Sequence, residues 1–383
     1  MSASTTESSG ASRPRARDLG IPFDGMPGPL NAITDVPGLE VGATTLIHGD
    51  GPLRVGEGPV RTGVTAILPR GRDGVGRACA AGFSSLNGNG EMTGTIWIEE
   101  SGALTMPVLI TNTHAVGPVH AGAVEWMVAR HPAVARQWML PVVAETWDGY
   151  LNDINGAHVT AAHARAALDS ARSGPVAEGS TGGGTGMTCY GFKGGSGTAS
   201  RRVAFGDDLH TVAVFVQANF GSRRELVVAG RPAGRLLAVE NPEEDEDWFV
   251  PTGAGSVIVI VATDAPLLPG QCKALTRRVP LGLARTGTTG SHFSGDIFLA
   301  FSTANEDALT SRLGTADEHA YATLRIIPSG LIDPYYDAVV EATEEAVLNV
   351  LIGAESMVGI DGHRSPALPH QDIAALVAGA TGR

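Results

Sequence analysis

Short apolar runs rich in β-branched residues recur along the chain at Val64–Leu68, Val108–Thr111, Val212–Gln217, Val257–Ala262 and Ile297–Ser302. Each has the length and composition of a buried strand. Between them, apolar residues spaced by three and four predict helices over Val119–Arg130, Val159–Arg172, Pro269–Arg278 and Tyr336–Ser356. In the last helix Ala338, Val339, Ala342, Ala346, Leu348, Leu351 and Ile352 form an apolar stripe, and Glu341, Glu344 and Glu345 fall on the polar face opposite. Strands interspersed with helices, some covered on both faces, predict a layered α/β body. No fixed-period repeat interrupts it. The one abrupt change of composition is Asn241–Asp247, an acidic run expected to be a solvated loop.

Composition narrows the class. The 383 residues are 43% hydrophobic, enough for a sizeable core, while 17% charged residues and 51 glycines suit a compact enzyme-like body with tight turns. A formal charge of −13, from 27 Lys+Arg against 40 Asp+Glu, repels phosphate backbones and anionic membrane surfaces, so neither nucleic acid nor membrane is an expected partner. No apolar run reaches membrane-spanning length. The opening MSASTTESSGASRPRAR lacks the apolar centre of a secretory signal and reads as a disordered arm over 1–17, leaving 18–383 as a single catalytic domain. Cys79, Cys189 and Cys272 are too few and too scattered for a disulfide framework or a CxxC zinc pattern, which suits a reducing cytoplasm.

Several familiar chemistries have no support. The Gly-rich Thr181–Gly186 lacks the phosphate-loop pattern, and backbone packing near a site explains it better. His158 with His163, and His114 with His120, come without an HExxH or Cys/His cluster, so no metal or cofactor is implied. A G-x-S-x-G elbow is absent, which argues against an ordinary α/β-hydrolase.

The Pro251–Asp264 stretch, PTGAGSVIVIVATD, is different. Ser256 sits where a Gly/Ala segment enters a deeply buried strand. One reading is a plain loop-to-strand junction. The other is a self-cleaving bond: the Ser256 hydroxyl attacks the unhindered Gly255 carbonyl, and the freed residue then carries nucleophile and base together. An α-amine with a pKa near ~7.7–8.0 accepts the hydroxyl proton at neutral pH. Local sequence leaves both open.

Six motifs occur in order: LNAITDVPGLEVG (Leu30–Gly42), RTGVTAILPRG (Arg61–Gly71), ETWDGYLNDING (Glu145–Gly156), GGGTGMTCYGFKGGSGTASR (Gly182–Arg201), VFVQANFGSR (Val214–Arg223) and SGDIFLAFSTAN (Ser294–Asn305). With GSVIVIVATDAPLLPGQ, they make the chain resemble the self-processing L-aminopeptidase/D-esterase family, which includes β-peptidyl aminopeptidases and, more distantly, nylon-oligomer hydrolases. The resemblance runs from about Asp18 to the C-terminus. It implies a four-layer αββα sandwich, shared with ornithine acetyltransferases and resembling N-terminal nucleophile hydrolases. It also implies cleavage into an α-chain 1–255 and a β-chain 256–383, and a tetramer of such pairs.

The same resemblance implies roles. Ser256 would be the nucleophile in self-cleavage and in turnover, and Asn219 the oxyanion-stabilising amide, a donor worth roughly 2.7–4 kcal/mol. Ser294 and Asp296, two apart on a strand and so on one face, would contact the nucleophile and its amine. Relatives typically carry Glu at the second of these positions, and Asp296 is shorter. Glu145 would recognise the substrate's free amino group, and Lys193 would support the site. Where relatives place a Tyr hydroxyl beside the oxyanion, this chain has Trp147. Its indole, the nearby Tyr150, or no second donor at all are the alternatives. The implied activity is release of N-terminal residues from small peptides, amides or esters through an acyl-enzyme. An amidase for nylon-like oligomers and an acyl-transfer or processing protein are the alternatives.

Overall fold

The computed structural model describes residues 13–245, 251, 253–306, 308–310 and 321–381, with backbone only at 380 and 381. In chain order the strands are β1 (Glu40–His48), β2 (Val60–Leu68), β3 (Cys79–Ser85), β4 (Ala103–Leu104), β5 (Val108–Asn112) and β6 (Val142–Thr146). They continue with β7 (Thr188–Cys189), β8 (Phe192–Lys193), β9 (Gly195–Phe205), β10 (Asp208–Asn219), β11 (Gly255–Thr263) and β12 (Ser294–Ser302). A short hairpin, β13 (Met357–Val358) and β14 (Arg364–Ser365), follows, and the helices are α1 (Thr95–Ser101), α2 (Val116–Arg130), α3 (Ala161–Asp169), the one-turn α4 (Ala233–Leu236), α5 (Pro269–Thr276), α6 (Val279–Arg285), α7 (Asp333–Gly353) and α8 (His370–Thr381). Every apolar run expected to be a strand lies inside one, and every expected helix is present with ends shifted by a few residues.

Two sheets form the centre. One is four-stranded in the order β1-β2-β5-β6, and the other six-stranded in the order β4-β3-β12-β11-β10-β9. A middle core joins their facing surfaces, with Ile67, Ile110 and Ala144 from one sheet against Phe215, Ile258 and Leu299 from the other. Outside the six-stranded sheet, Val214, Val259 and Phe298 pack on α5, α6 and α7. Outside the four-stranded sheet, Val64, Leu109 and Val143 pack on α2 and α3. The result is the expected α-β-β-α layering. Continuous burial explains why β2, β11 and β12 read as unbroken apolar runs: both of their faces lie in a core. β11 and β12 are parallel neighbours, and the crossover between them carries α5 and α6.

Three expectations need correction. On α7 the apolar stripe is buried as expected, but Glu345 is fully buried too, unlike Glu341 and Glu344, which keep a minor part of their surface exposed. Its carboxylate accepts Arg17 Nε and Nη2 at 2.7 and 2.8 Å and Asn31 Nδ2 at 2.6 Å, and pairs with Arg201 Nη2 at 2.8 Å. A buried charge is tolerated only when paired in this way.

The arm is the second. From Arg13 onward it is docked: Arg15 Nε donates to Glu178 at 2.7 Å, and Arg17 holds Glu345. Residues 1–12 of the expected arm lie outside the described residues. The third is the acidic run, which is not wholly solvated. Pro242 is buried, Glu243 Oε1 accepts the Arg223 N–H at 3.0 Å, and Asp245 takes part in the site below. Its last members, 246 and 247, lie outside the described residues.

Glu345→Ala should lower the free energy of unfolding by about 3–5 kcal/mol, because it takes the buried Arg201 guanidinium's closest carboxylate away and frees Arg17 as well. Denaturant titration measures this; a loss below about 1 kcal/mol, the worth of a surface pair, would contradict the assignment.

Candidate active site

Ser256 is the second residue of β11, at the point where the chain passes from Ala254 into the interior, and it is 2% exposed. Antiparallel pairing sets Asn219, the last residue of β10, directly opposite it, and parallel pairing sets Gly295 on its other side. Laterally paired residues share a face, so Ser256 and Asn219 both project into the layer between the sheets, the face of Ile258 and Ile260. There they border a cavity of about 630 Å³, together with Glu91, Thr113, Glu145, Trp147, Tyr150 and Phe293.

Gly255 is held more tightly than the sequence indicates. A Cβ at this position would lie 2.0 Å from the Asn219 carbonyl oxygen. The neighbouring strand's backbone therefore requires glycine here, in addition to any demand for an unhindered carbonyl.

The Ser256 hydroxyl accepts the backbone N–H of Trp147 at 3.1 Å, a bond that ties the end of β6 to the start of β11. Asn219 Oδ1 accepts the Thr188 N–H at 2.9 Å. Only an oxygen can accept from that N–H, so the amide orientation is settled and the NH₂ end is left as the donor.

Glu145, at the end of β6, is 2% exposed. Its Oε1 accepts the Glu91 N–H at 2.9 Å and its Oε2 accepts the Thr113 hydroxyl. Burial pushes its pKa above the usual carboxylate range, the two donors pull the other way, and the Glu91 carboxylate adds to the rise. A buried carboxylate held by neutral donors and facing a cavity is suited to receive an ammonium group. Tyr150 turns elsewhere: its hydroxyl donates to Asp245 Oδ2 at 2.7 Å, and its ring stacks on His363 with centroids 4.7 Å apart. Of the side chains weighed as a second donor beside Asn219, the Tyr150 hydroxyl is directed to Asp245, and Trp147 meets Ser256 through its main-chain N–H.

Ser294 and Asp296 share a face as expected, but it is not the face of Ser256. Gly295 is the lateral partner of Ser256, so the residues on either side of it point away, toward Val257 and Phe298. Neither borders the cavity. Ser294 Oγ donates to Asp296 Oδ1 at 2.5 Å, and Asn87 Nδ2 donates to Oδ2 at 3.0 Å. Burial raises the Asp296 pKa, while Ser294, Asn87 and the Val257 N–H favour the charged form. The pair thus sits beside the backbone at the start of β11 rather than against the Ser256 hydroxyl.

Lys193 does not reach the cavity either. It is fully buried on β8, away from the cavity lining, and donates from Nζ to the carbonyls of Met187 at 2.7 Å and Gly194 at 2.9 Å. Burial drives its pKa down to about 7, opposed more weakly by Cys189 and Asp148. Asp148 is itself pushed up to about 7 by burial.

Asn87, Glu91, Thr113 and Thr188 escaped the sequence reading. Three of them act through a backbone N–H or a small hydroxyl, which leaves little trace in residue identity. The one available signal is the Asn/Gly-rich run Ser85–Glu91 immediately after β3. Gly182–Gly184, from the Gly-rich stretch, form a buried 3₁₀ turn between the sheets.

The model of peptidase family S58 matches residues 31–365. Two β-peptidyl aminopeptidases named BapA are similar. That of Sphingosinicella microcystinivorans is 48% identical over 96% of this chain and 92% of its own, and that of Sphingosinicella xenopeptidilytica is 44% identical over 95% and 91%. Among solved structures, the L-aminopeptidase D-Ala-esterase/amidase of Ochrobactrum anthropi superposes with a TM-score of 0.88 at 46% identity, covering 97% of this chain and 99% of its own. It is described as a new variant among the Ntn hydrolase fold. A Burkholderia sp. β-aminopeptidase gives a TM-score of 0.86 at 44% identity, covering 96% and 99%.

Lys193 generates a pH prediction. Its folded pKa of about 7 lies below its ordinary 10.5, so between these values the unfolded chain binds the extra proton. Stability contributed at this position therefore rises with pH across that window. The unfolding temperature of the wild type should gain on that of Lys193→Met from pH 7 toward pH 10. A pH-independent difference would show that the amine is not depressed.

Proposed function

The chain belongs to peptidase family S58, and from that membership we propose that it is made as a precursor cut between Gly255 and Ser256, with the new N-terminal Ser256 as its nucleophile. It is a hydrolase of the serine aminopeptidase type. The observation that carries the reading is the meeting of three groups at one wall of the cavity. These are the Ser256 hydroxyl, the Trp147 N–H 3.1 Å from it, and an Asn219 amide whose oxygen is already engaged.

In the first reaction the Ser256 hydroxyl attacks the Gly255 carbonyl. The Gly255–Ser256 C–N bond breaks as the ester to Ser256 Oγ forms, which frees the Ser256 amine, and water then cleaves the ester to a Gly255 carboxylate and the Ser256 hydroxyl. In turnover that amine takes the hydroxyl proton as the oxygen attacks the substrate carbonyl, and returns it to the leaving amine or alcohol. Asn219 Nδ2, with the Trp147 N–H beside it, meets the negative charge that develops on the carbonyl oxygen. Water repeats the attack on the acyl-enzyme and frees the product.

Glu145 gives the site its preference for a free N-terminus. A substrate ammonium entering the cavity meets a desolvated carboxylate, and an N-acylated substrate would leave that charge unpaired. Ser294 and Asp296, beside the first residues of β11, hold the new chain end and keep negative charge near its amine. Lys193 contributes from behind, through backbone carbonyls. The two BapA relatives carry the name β-peptidyl aminopeptidase, and small peptides with an N-terminal β-amino acid are the substrate class we favour, with amides and esters as further substrates.

A cytoplasmic location suits Cys79, Cys189 and Cys272, which are buried free thiols. Among the described residues no helix is long and apolar enough to cross a membrane. Assembly into a tetramer of processed pairs is consistent with apolar side chains left exposed on one region, Ile96 at 87% and Trp138 at 44%.

Denaturing electrophoresis with intact mass tests the reading directly. Purified protein should give fragments 1–255 and 256–383, the second beginning at Ser256, and Ser256→Ala should remain whole and inactive. Fragments from Ser256→Ala, or turnover by an uncut chain, would overturn it.

A further inference from the structure

Lys193 lies outside the cavity, yet it is joined to Asn219 by an unbroken path. Its Nζ donates to the Met187 carbonyl at 2.7 Å. The N–H on the other side of that same peptide plane, Thr188 N, donates to Asn219 Oδ1 at 2.9 Å. The Met187–Thr188 peptide therefore accepts from the lysine at one end and donates to the asparagine at the other. Hydrogen bonds in series through one amide polarise and strengthen each other.

The surrounding structure makes this peptide a fixed part. Thr188 and Lys193 face each other across the β7–β8 hairpin, whose turn is Tyr190–Gly191. The Gly194 N–H adds a second bond to the Met187 carbonyl at 2.8 Å, and the Thr188 hydroxyl is bonded to Ser365 at 2.6 Å. The Tyr190 N–H donates to the Phe220 carbonyl at 2.9 Å, so the hairpin grips the residue after Asn219 as well. The Tyr190 hydroxyl is bonded to Thr286 at 2.7 Å, and Arg223 Nε donates to the Tyr190 carbonyl at 3.0 Å. Among the described residues, the amino group of Lys193 is the one side-chain donor to the Met187 carbonyl. Its two carbonyl acceptors are satisfied equally by an amine or an ammonium, so its presence there does not depend on charge.

We propose that Lys193 is a positioning residue for Asn219: through the Met187–Thr188 peptide it holds the asparagine amide with its NH₂ toward the reacting carbonyl oxygen. The inference rests on the reading of Asn219 as the oxyanion donor. It separates Lys193 from any direct contact with Ser256, its amine or the substrate. Losing the lysine should loosen the amide and so weaken a bond made fully only in the transition state. Binding of the uncleaved substrate, which uses the Glu145 side of the cavity, should be untouched.

The test is kinetic, on the processed enzyme. Lys193→Met should lower kcat by about tenfold with KM within about twofold of wild type, the pattern expected when only transition-state stabilisation is lost. A peptide aldehyde that forms a tetrahedral adduct with Ser256 should lose affinity by the same factor, while an uncleaved ground-state inhibitor with a free N-terminus keeps its own. Lys193→Gln, which retains a donor of shorter reach, should recover part of the loss. It also carries the test if the methionine variant unfolds, as thermal melting will report. Wild-type kcat in Lys193→Met, a KM that rises in step with the fall in kcat, or aldehyde affinity that stays at the wild-type value would each overturn the inference. Asn219→Ala distinguishes the two levels. If it retains wild-type kcat, the reading of Asn219 itself fails; if it is slow while Lys193→Met is not, only the lysine inference fails.

Discussion

The site depends on the register of one strand. β11 lies between an antiparallel neighbour, β10, and a parallel one, β12, and both pairings must agree before Ser256 stands opposite Asn219 and beside Gly295. A slip of one residue would turn Ser256 to the helix-covered face and send Val257 into the cavity, because side chains alternate across a strand. The unbroken burial of Val257–Thr263 makes such a slip costly along the whole strand, since every apolar residue would change cores. Gly255 and Gly295 allow the close approach that this register demands. A side chain at Gly255 would strike the Asn219 carbonyl, and one at Gly295 would strike the Asn89 carbonyl, 2.1 Å from its Cβ. The Ser256 hydroxyl is thus placed by packing forces that have no chemical role of their own.

Polar groups occupy an otherwise apolar interior around that register, and each is held by partners of a particular kind. Glu145 receives a backbone N–H and a hydroxyl, Asp296 a hydroxyl and an amide, and Lys193 two carbonyls. None of these bonds neutralises a charge. Burial then shifts each group toward its uncharged form, raising both carboxylates and lowering the lysine. Contrast Glu345, fully buried but surrounded by Arg17 and Arg201, where charge is cancelled and the carboxylate fastens the N-terminal segment to α7. Of these groups Glu145 borders the cavity, where a ligand can reach it, whereas Glu345 is committed to the fold.

Much of the fold was legible in the sequence because burial on both faces writes itself as continuous apolar, β-branched segments. The five expected strands owe their visibility to this, and the four expected helices to apolar residues spaced by three and four. Glu345 was misplaced: its neighbours three residues away, Ala342 and Leu348, belong to the apolar stripe, so helical spacing carries it into the core with them, and its partner Arg17 is 328 positions away. The site divides in the same way. Pattern alone made Gly255–Ser256 a loop meeting a strand, and only resemblance to a family singled out Ser256, Asn219 and Glu145. What resemblance could not supply was direction. Ser294 and Asp296 were expected on the nucleophile, and the pairing of Ser256 with Gly295 turns them to the opposite face. The donors from Trp147, Thr188 and Glu91 are main-chain groups, and no side-chain type announces them.

The central claim is that one oxygen, Ser256 Oγ, performs both the maturation of the chain and its turnover. Mass analysis of the separated fragments after rapid quenching with a slowly hydrolysed ester of a β-amino acid tests this most directly. The account predicts one acyl group, carried by fragment 256–383 and mapped to the Ser256 side chain, in processed protein alone. An acyl group on any other residue, or on an uncut chain, would contradict it.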